Sequence, residues 1–403
     1  MRRILILSDH YFDSSDANAM CVANLVEEFK NRNFYIDIVT SDSGKQTNQQ
    51  ADALLSFFYV KNSFYERFSS KKNRNFLLKL LFYIYSFFRK LINLFIYPNV
   101  SPLRSFSITK MVKTKLSSNN YNLVLCIYRP FEHIKCCLNL SKKFSDVPFV
   151  IYHLDNLESH PAKNLFLKKL LFKKAIGMIK KERRWANKIL VTPTSIIDGS
   201  NVFVVGFPVF KKYNLVESNF RFDNSFLNIS YIGSLDDKNR NPAEAFAFLD
   251  KMALACDVRL KIHVWGNATD GVFPIFKKFE KIVSYHGAID SVFVESVFAN
   301  SDYLLNIGNK VTVEMLPSKL FRMFSTGKPI ISFNSEKDSS RTYLDLYPKA
   351  IVIDYGGTCD VKELFTKLER CKTKPLELFA HKQKYFDSFT PSYIVGIILE
   401  NLK

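Results

Sequence analysis

Lys319 stands in Pro317-Ser318-Lys319, after a polar loop that itself follows the apolar run Tyr303 to Ile307. Pro is tolerated where the first amides of a helix lack partners, and Ser318 is of a type that caps them. Leu320, Phe321 and Phe324 then give a helical apolar stripe, Gly327 and Pro329 stop it, and Ile330 to Phe333 begins a second strand. This order places an ammonium group and open backbone amides where the carboxyl edge of a parallel sheet meets a helix start. Phosphate-bearing ligands bind α/β proteins there. His133 closes Arg129-Pro130-Phe131-Glu132-His133, directly after the apolar run Tyr121 to Tyr128. It suits proton transfer near neutral pH and equally suits packing. His10 and Asp13 lie in a loop after the first strand, where they could touch a sugar or only cap and solvate. Seven cysteines show no Cys-x-x-Cys, no His stands at metal-ligand spacing and no Asp-x-Asp occurs, so no metal or cofactor is expected.

The elements that must position these groups are short buried strands alternating with helices. Arg3 to Ser8, Asn18 to Arg32 and Phe34 to Thr40 read as an opening βαβ unit. Tyr121 to Tyr128, Pro148 to His153, Ile189 to Thr192 and Val202 to Val205 continue the first domain. Residues 209–226 are polar and irregular, the composition of a linker. Leu227 to Ile232 restarts the pattern, followed by runs at 260–265, 282–287, 303–307, 330–333 and 350–354. The expected domains are 1–206, a linker at 207–226, 227–380 and a closing segment at 381–403.

Residues 76–97 predict an amphipathic helix whose polar third holds Lys79, Tyr83, Ser86, Arg89, Lys90, Asn93 and Tyr97, with Phe82 the one strongly apolar residue among them. So wide an apolar face needs cover, either from a bilayer surface or polyprenyl chain, or from the rest of the domain. Residues 163–184 hold nine basic residues and one acidic, and read as a second basic surface for lipid or as a solvated helix.

At 403 residues the chain has room for two cores. Its charge of +19 is uneven: residues 1–205 hold 31 Lys and Arg against 15 Asp and Glu, net +16, and the remainder is net +3. An anionic partner for the first half follows, whether nucleic acid, acidic lipid or a lipid diphosphate. Aromatics alternate with aliphatics as core does and no nucleic-acid motif appears, which disfavours the first. The odd cysteine count suits a reduced, cytoplasmic compartment. The N-terminal apolar run is too short for a secretory signal, and no segment offers the length of a membrane span.

The run Pro317-Ser318-Lys319-Leu320-Phe321-Arg322-Met323, then Thr326 to Ile331, resembles the nucleotide-binding segment of family 4 glycosyltransferases of the GT-B fold, of the bacterial surface-polysaccharide type. Gly233-Ser234-Leu235 with Arg240-Asn241-Pro242 resembles the loop that opens the family's second domain. The resemblance implies an α/β protein of two Rossmann-like domains facing a cleft, with a C-terminal helix crossing back to the first. It implies donor binding by Gly233, Ser234, Lys238, Arg240, Pro317, Ser318, Lys319 and Arg322, with Arg240 and Lys319 on the diphosphate. It also implies a first glutamate at Glu314, His133 near the sugar and Asp155 toward the acceptor. Two departures stand out. Arg322 occupies the place of the family's second glutamate, and the first strand-to-helix loop has no glycine.

Sugar transfer from a nucleotide-sugar to a lipid-linked or oligosaccharide acceptor is therefore expected, retaining by resemblance, at the anionic inner face of the plasma membrane. The departures keep open a non-catalytic GT-B protein serving as a scaffold.

Overall fold

Runs such as Ile4 to Leu7 and Leu123 to Ile127 have no polar side to turn toward water, and every residue in them is buried. Such strands form parallel sheets covered on both faces. The computed structural model describes residues 2–9, 17–41, 52–60, 76–96, 101–128, 131–154, 165–212, 221–311, 313, 315–357, 360–373 and 386–400. Two compact units divide the chain, Met1–Pro208 with Pro391–Lys403, and Val209–Thr390.

The first unit runs β1 (Arg2–Leu7), α1 (Ala17–Asn31), β2 (Phe34–Ser41), β3 (Leu55–Val60), α2 (Phe76–Ile96), α3 (Pro102–Ser118), β4 (Leu123–Tyr128), α4 (Phe131–Ser141), β5 (Phe149–His153), α5 (Leu165–Trp185), β6 (Lys188–Val191) and β7 (Val202–Val204). Its strands form one parallel sheet in the order β3-β2-β1-β4-β5-β6-β7, with Ile4 registered on both Ile36 and Leu123. The chain first steps one way from β1 and then returns to its other side, so β1 and β4 border the switch point of the sheet. Strand β3 and helix α3 have no counterpart in the sequence reading.

Helix α2 turns over the usual arrangement. Phe82, on the polar stripe, is buried, whereas Leu77, Leu80, Ile84, Phe87 and Phe88 are exposed. Among the described residues the domain does not cover the apolar face. Helix α3 begins at Ser101, whose hydroxyl accepts from the Arg104 amide at 3.4 Å, with Pro102 in the first turn. It packs Arg104, Ser105, Ile108, Val112 and Leu116 inward and leaves Leu103 and Phe106 out. Helix α5 buries its one acidic residue, Glu182, against His153 at 2.9 Å. Its described positions Lys173, Lys180, Lys181 and Arg184 are exposed.

The second unit runs β8 (Leu227–Ile232), α6 (Ala243–Ala255), β9 (Leu260–Trp265), α7 (Phe273–Lys278), β10 (Val283–Gly287), α8 (Ser291–Asn300), β11 (Tyr303–Ile307), α9 (Ser318–Phe324), β12 (Ile330–Asn334), α10 (Arg341–Leu346), β13 (Ala350–Asp354) and α11 (Val361–Thr373). The parallel order is β10-β9-β8-β11-β12-β13, which puts β8 and β11 at its switch point. The amides of Val209 and Phe210 both donate to the Phe389 carbonyl, at 3.1 and 3.0 Å, so the entry and exit of this unit are bonded together.

Helix α12 (Pro391–Leu399) completes the first unit and buries Ile394, Val395 and Ile398. The Arg32 guanidinium donates to the Ser392 carbonyl at 2.8 Å. Lys188 donates its ammonium to the carbonyls of Ile397, at 2.5 Å, and Glu400, which closes the C-terminal end of α12.

Candidate functional site

In the second unit, β8 ends at Gly233, which has φ +152°. A Cβ there would stand 3.0 Å from Lys319 Nζ and 3.3 Å from the Tyr231 hydroxyl, so the position is open only to glycine. Gly266, at the end of β9 with φ +123°, locks against it, for its Cβ would meet the Gly233 carbonyl oxygen at 2.2 Å. Lys319 lies in this niche. It donates to the Tyr231 hydroxyl at 3.1 Å and sits 4.2 Å from the centre of the Tyr231 ring, while that hydroxyl donates to the Ser234 carbonyl at 3.0 Å. Burial, and then the charge of Arg240, hold the Lys319 pKa well below the ordinary lysine value. Burial pushes the Tyr231 phenol upward.

Asn309, two residues past β11, joins the two loops that carry the cations. Its side-chain oxygen accepts from Arg240 Nε at 2.8 Å and from Asn239 Nδ2 at 3.1 Å, and its Nδ2 donates to the Met315 carbonyl at 3.1 Å. Buried Asp338 accepts from the Asn309 amide at 3.0 Å. On the β8 side, Asp236 accepts from the amides of Lys238 and Asn239, at 2.9 and 2.5 Å, and turns the loop so that Arg240 faces Asn309. Ser234 and Lys238 are exposed, and Pro317 and Ser318 are half-buried.

The helix that follows differs from expectation. Pro317 is its N-cap with no side-chain cap bond, Ser318 is the first helical residue, and α9 has seven residues. Two turns carry little dipole, so the fixed cations dominate the field. Arg322 gives its guanidinium to Glu295 of α8 at 3.5 Å and is mostly buried. Glu314 lies outside the described residues.

In the first unit, Asp9 follows β1 and meets groups from three other elements. Its Oδ1 accepts from the Ser41 amide at 3.0 Å and hydroxyl at 2.9 Å, its Oδ2 pairs with Arg104, and His133 Nε2 lies 3.6 Å from Oδ1. Burial raises the carboxyl pKa, but charge at His133 and the Arg104 guanidinium outweigh it and hold it below the ordinary value. His133 occupies the first turn of α4 and is 1 % exposed, not displayed on a loop, and its neighbour Glu132 accepts from the Ser101 amide at 2.6 Å. Asp9 is the more open member of the pair. His10, Asp13 and Asp155 lie outside the described residues.

Arg240, Lys319 and Gly233 thus lie together, beside Asn309 and Asp338, which the sequence reading did not single out; nor did it single out Asp9 and Arg104. Asp9 and Asn309 each stand within two residues of a strand's carboxyl end, a signal the sequence does carry.

The chain matches no protein-family profile and no curated protein. Solved structures do match. Sucrose-phosphate synthase from Thermosynechococcus elongatus is 8% identical with TM-score 0.53, covering 98% of this chain and 94% of that one. A lipopolysaccharide outer core galactosyltransferase in its apo form is 15% identical with TM-score 0.51, covering 99% of both chains. An E. coli trehalose-6-phosphate structure bound with UDP-2-fluoro glucose is 10% identical with TM-score 0.52, covering 99% and 96%. The fold, two parallel-sheet α/β units, is that of these GT-B glycosyltransferases.

Proposed function

We propose that this chain is a glycosyltransferase that takes a sugar from a nucleotide-sugar and passes it to a lipid-linked or glycan acceptor in bacterial surface-polysaccharide assembly. The reading rests on one observation: Arg240 and Lys319 share a glycine-floored niche at the switch point of the second sheet. Two cations held there by Asn309 and Tyr231, with only a short helix dipole beside them, suit a leaving diphosphate. Arg240 offers a fork for two phosphate oxygens, fixed through Nε by Asn309. Burial and the Arg240 charge lower the Lys319 pKa, and the negative charge of a diphosphate beside it would counter that shift. Gly233, Ser234, Lys238, Pro317 and Ser318 would border the nucleotide, with Arg322 serving only through Glu295.

Asp9 would orient an acceptor hydroxyl, with His133 behind it, and His10, Asp13, Asp155 and Glu314 remain proposed contacts. Retention is proposed from the resemblance alone, and metal independence from the lack of an Asp-x-Asp in the sequence. Two of the similar structures were solved with UDP and with UDP-2-fluoro glucose bound, which supports a nucleoside-diphosphate donor here. Attachment to the inner face of the plasma membrane is part of the proposal, supported by α2 and the +16 charge of residues 1–205. No helix among the described residues is long and apolar enough to cross a membrane.

The deciding measurement is donor turnover by Arg240→Ala. Loss of one donor to a developing diphosphate should lower kcat by about 10²–10³-fold with the fold intact; near-normal turnover would reject the assignment. The spent charge of Arg322 favours a second reading, a GT-B scaffold, for which calorimetry would show no donor binding at all.

A further inference from the structure

The first turn of α3 presents two faces with opposite roles. Inward, Arg104 is 8 % exposed and grips Asp9 and Ser41 at the carboxyl ends of β1 and β2. Outward, Leu103 is 81 % and Phe106 70 % exposed, the highest values for large apolar side chains in α3. Further along the same outer face come Lys110 and Lys113. Two apolar groups at one end of a helix face and ammonium groups behind them match the depth profile of a bilayer surface, apolar inward and basic at the phosphates.

Chain connectivity ties this face to α2. Ile96 and Pro102 are six residues apart, so their backbones lie within roughly 20 Å. The apolar side chains that α2 leaves open, and the net +16 of residues 1–205, both belong to the same unit. A protein partner would be met by a mixed surface, whereas exposed Leu and Phe with Lys110 and Lys113 on one helix face, in a unit rich in positive charge, fit an anionic bilayer.

We propose that Leu103 and Phe106 form a second lipid-inserting element, which with α2 makes one docking surface for an anionic bilayer at the rim of the Asp9–His133 cluster. It rests on the membrane attachment proposed above and extends it. The bilayer then lies beside the carboxyl edge of the first sheet. A lipid-linked acceptor enters the Asp9 cluster from the membrane side with its hydrocarbon still in lipid. Because Leu103 and Arg104 share a turn, seating the outer face in lipid holds the Arg104 grip on Asp9.

The test is flotation of the full chain with vesicles of phosphatidylcholine containing phosphatidylglycerol, and with phosphatidylcholine alone. Wild type should float with the anionic vesicles only. Leu103→Ser/Phe106→Ser should float at least about tenfold less while keeping its melting temperature, since both side chains are exposed. Phe87→Ser/Phe88→Ser calibrates the contribution of α2. In Phe106→Trp, brominated lipid should quench fluorescence beyond the wild-type level. Failure of wild type to float rejects membrane attachment itself. Flotation that persists undiminished in the Leu103/Phe106 double variant, with no extra quenching in Phe106→Trp, rejects only the role of α3. Loss of a dimer in the double variant with flotation unchanged would assign the patch to a second copy of the chain and overturn the proposal.

Discussion

Lys319, in the diphosphate-binding role proposed above, would serve binding at the expense of stability. Its folded pKa is lowered, so over the range between that value and the ordinary value of about 10.4 the unfolded chain holds a proton the folded one lacks, and stability rises with pH. Lys319→Met should therefore melt no lower than wild type near neutral pH. It should also lose about 10- to 100-fold in nucleoside-diphosphate affinity, the worth of one charged hydrogen bond. Calorimetry in buffers of different ionisation enthalpy should show that any proton uptake on wild-type binding vanishes in the variant. A variant that melts lower and binds normally would contradict this. The lysine itself was legible in Pro317-Ser318-Lys319. Asn309 was not, because its partners Asn239 and Arg240 lie about seventy positions away and no local pattern records them.

At the scale of elements, the strands were legible because continuous apolar runs admit few other structures, and β8, β9, β11 and β13 coincide with the runs read from the sequence. Helix α3 was not, since its apolar positions Ile108, Val112 and Leu116 make a narrow stripe broken by Lys and Thr, and its Arg104 is buried by partners from other strands. The edge of the second sheet carries a stack that sequence alone did not reveal. Phe222 lies over His263 at 4.0 Å, His286 over Trp265 at 4.6 Å, and His263 Nδ1 is 3.1 Å from His286 Nε2. Burial, then His286 and Lys261, push the His263 pKa down to about 4. The unfolded chain binds this proton first, so stability should fall as pH drops from about 6.5 to about 4. Urea midpoints across that range should decline less steeply in His263→Phe; identical slopes would show that the stack does not titrate.

Across the whole molecule, two-unit organisation followed from length and from the apolar restart at Leu227, but ownership of the last helix did not follow from composition. Besides its buried apolar face, the helix is met by Lys188, a β6 residue whose ammonium reaches the carboxyl end of α12 and whose pKa is lowered by burial despite Glu400. Lys188→Met should lower the urea stability of the first unit by about 1–3 kcal/mol, the worth of charged hydrogen bonds to those carbonyls. An unchanged midpoint would mean that the buried face of α12 suffices without the cap.

That ownership also orders the birth of the protein. A ribosome releases the sheet of the first unit early, yet the helix that covers α1 and satisfies Lys188 is made only after all of Val209–Thr390. The second unit, whose two ends are bonded at Phe389, can mature as a self-contained insert during translation. The first waits, with a bare strip of apolar surface, until α12 emerges.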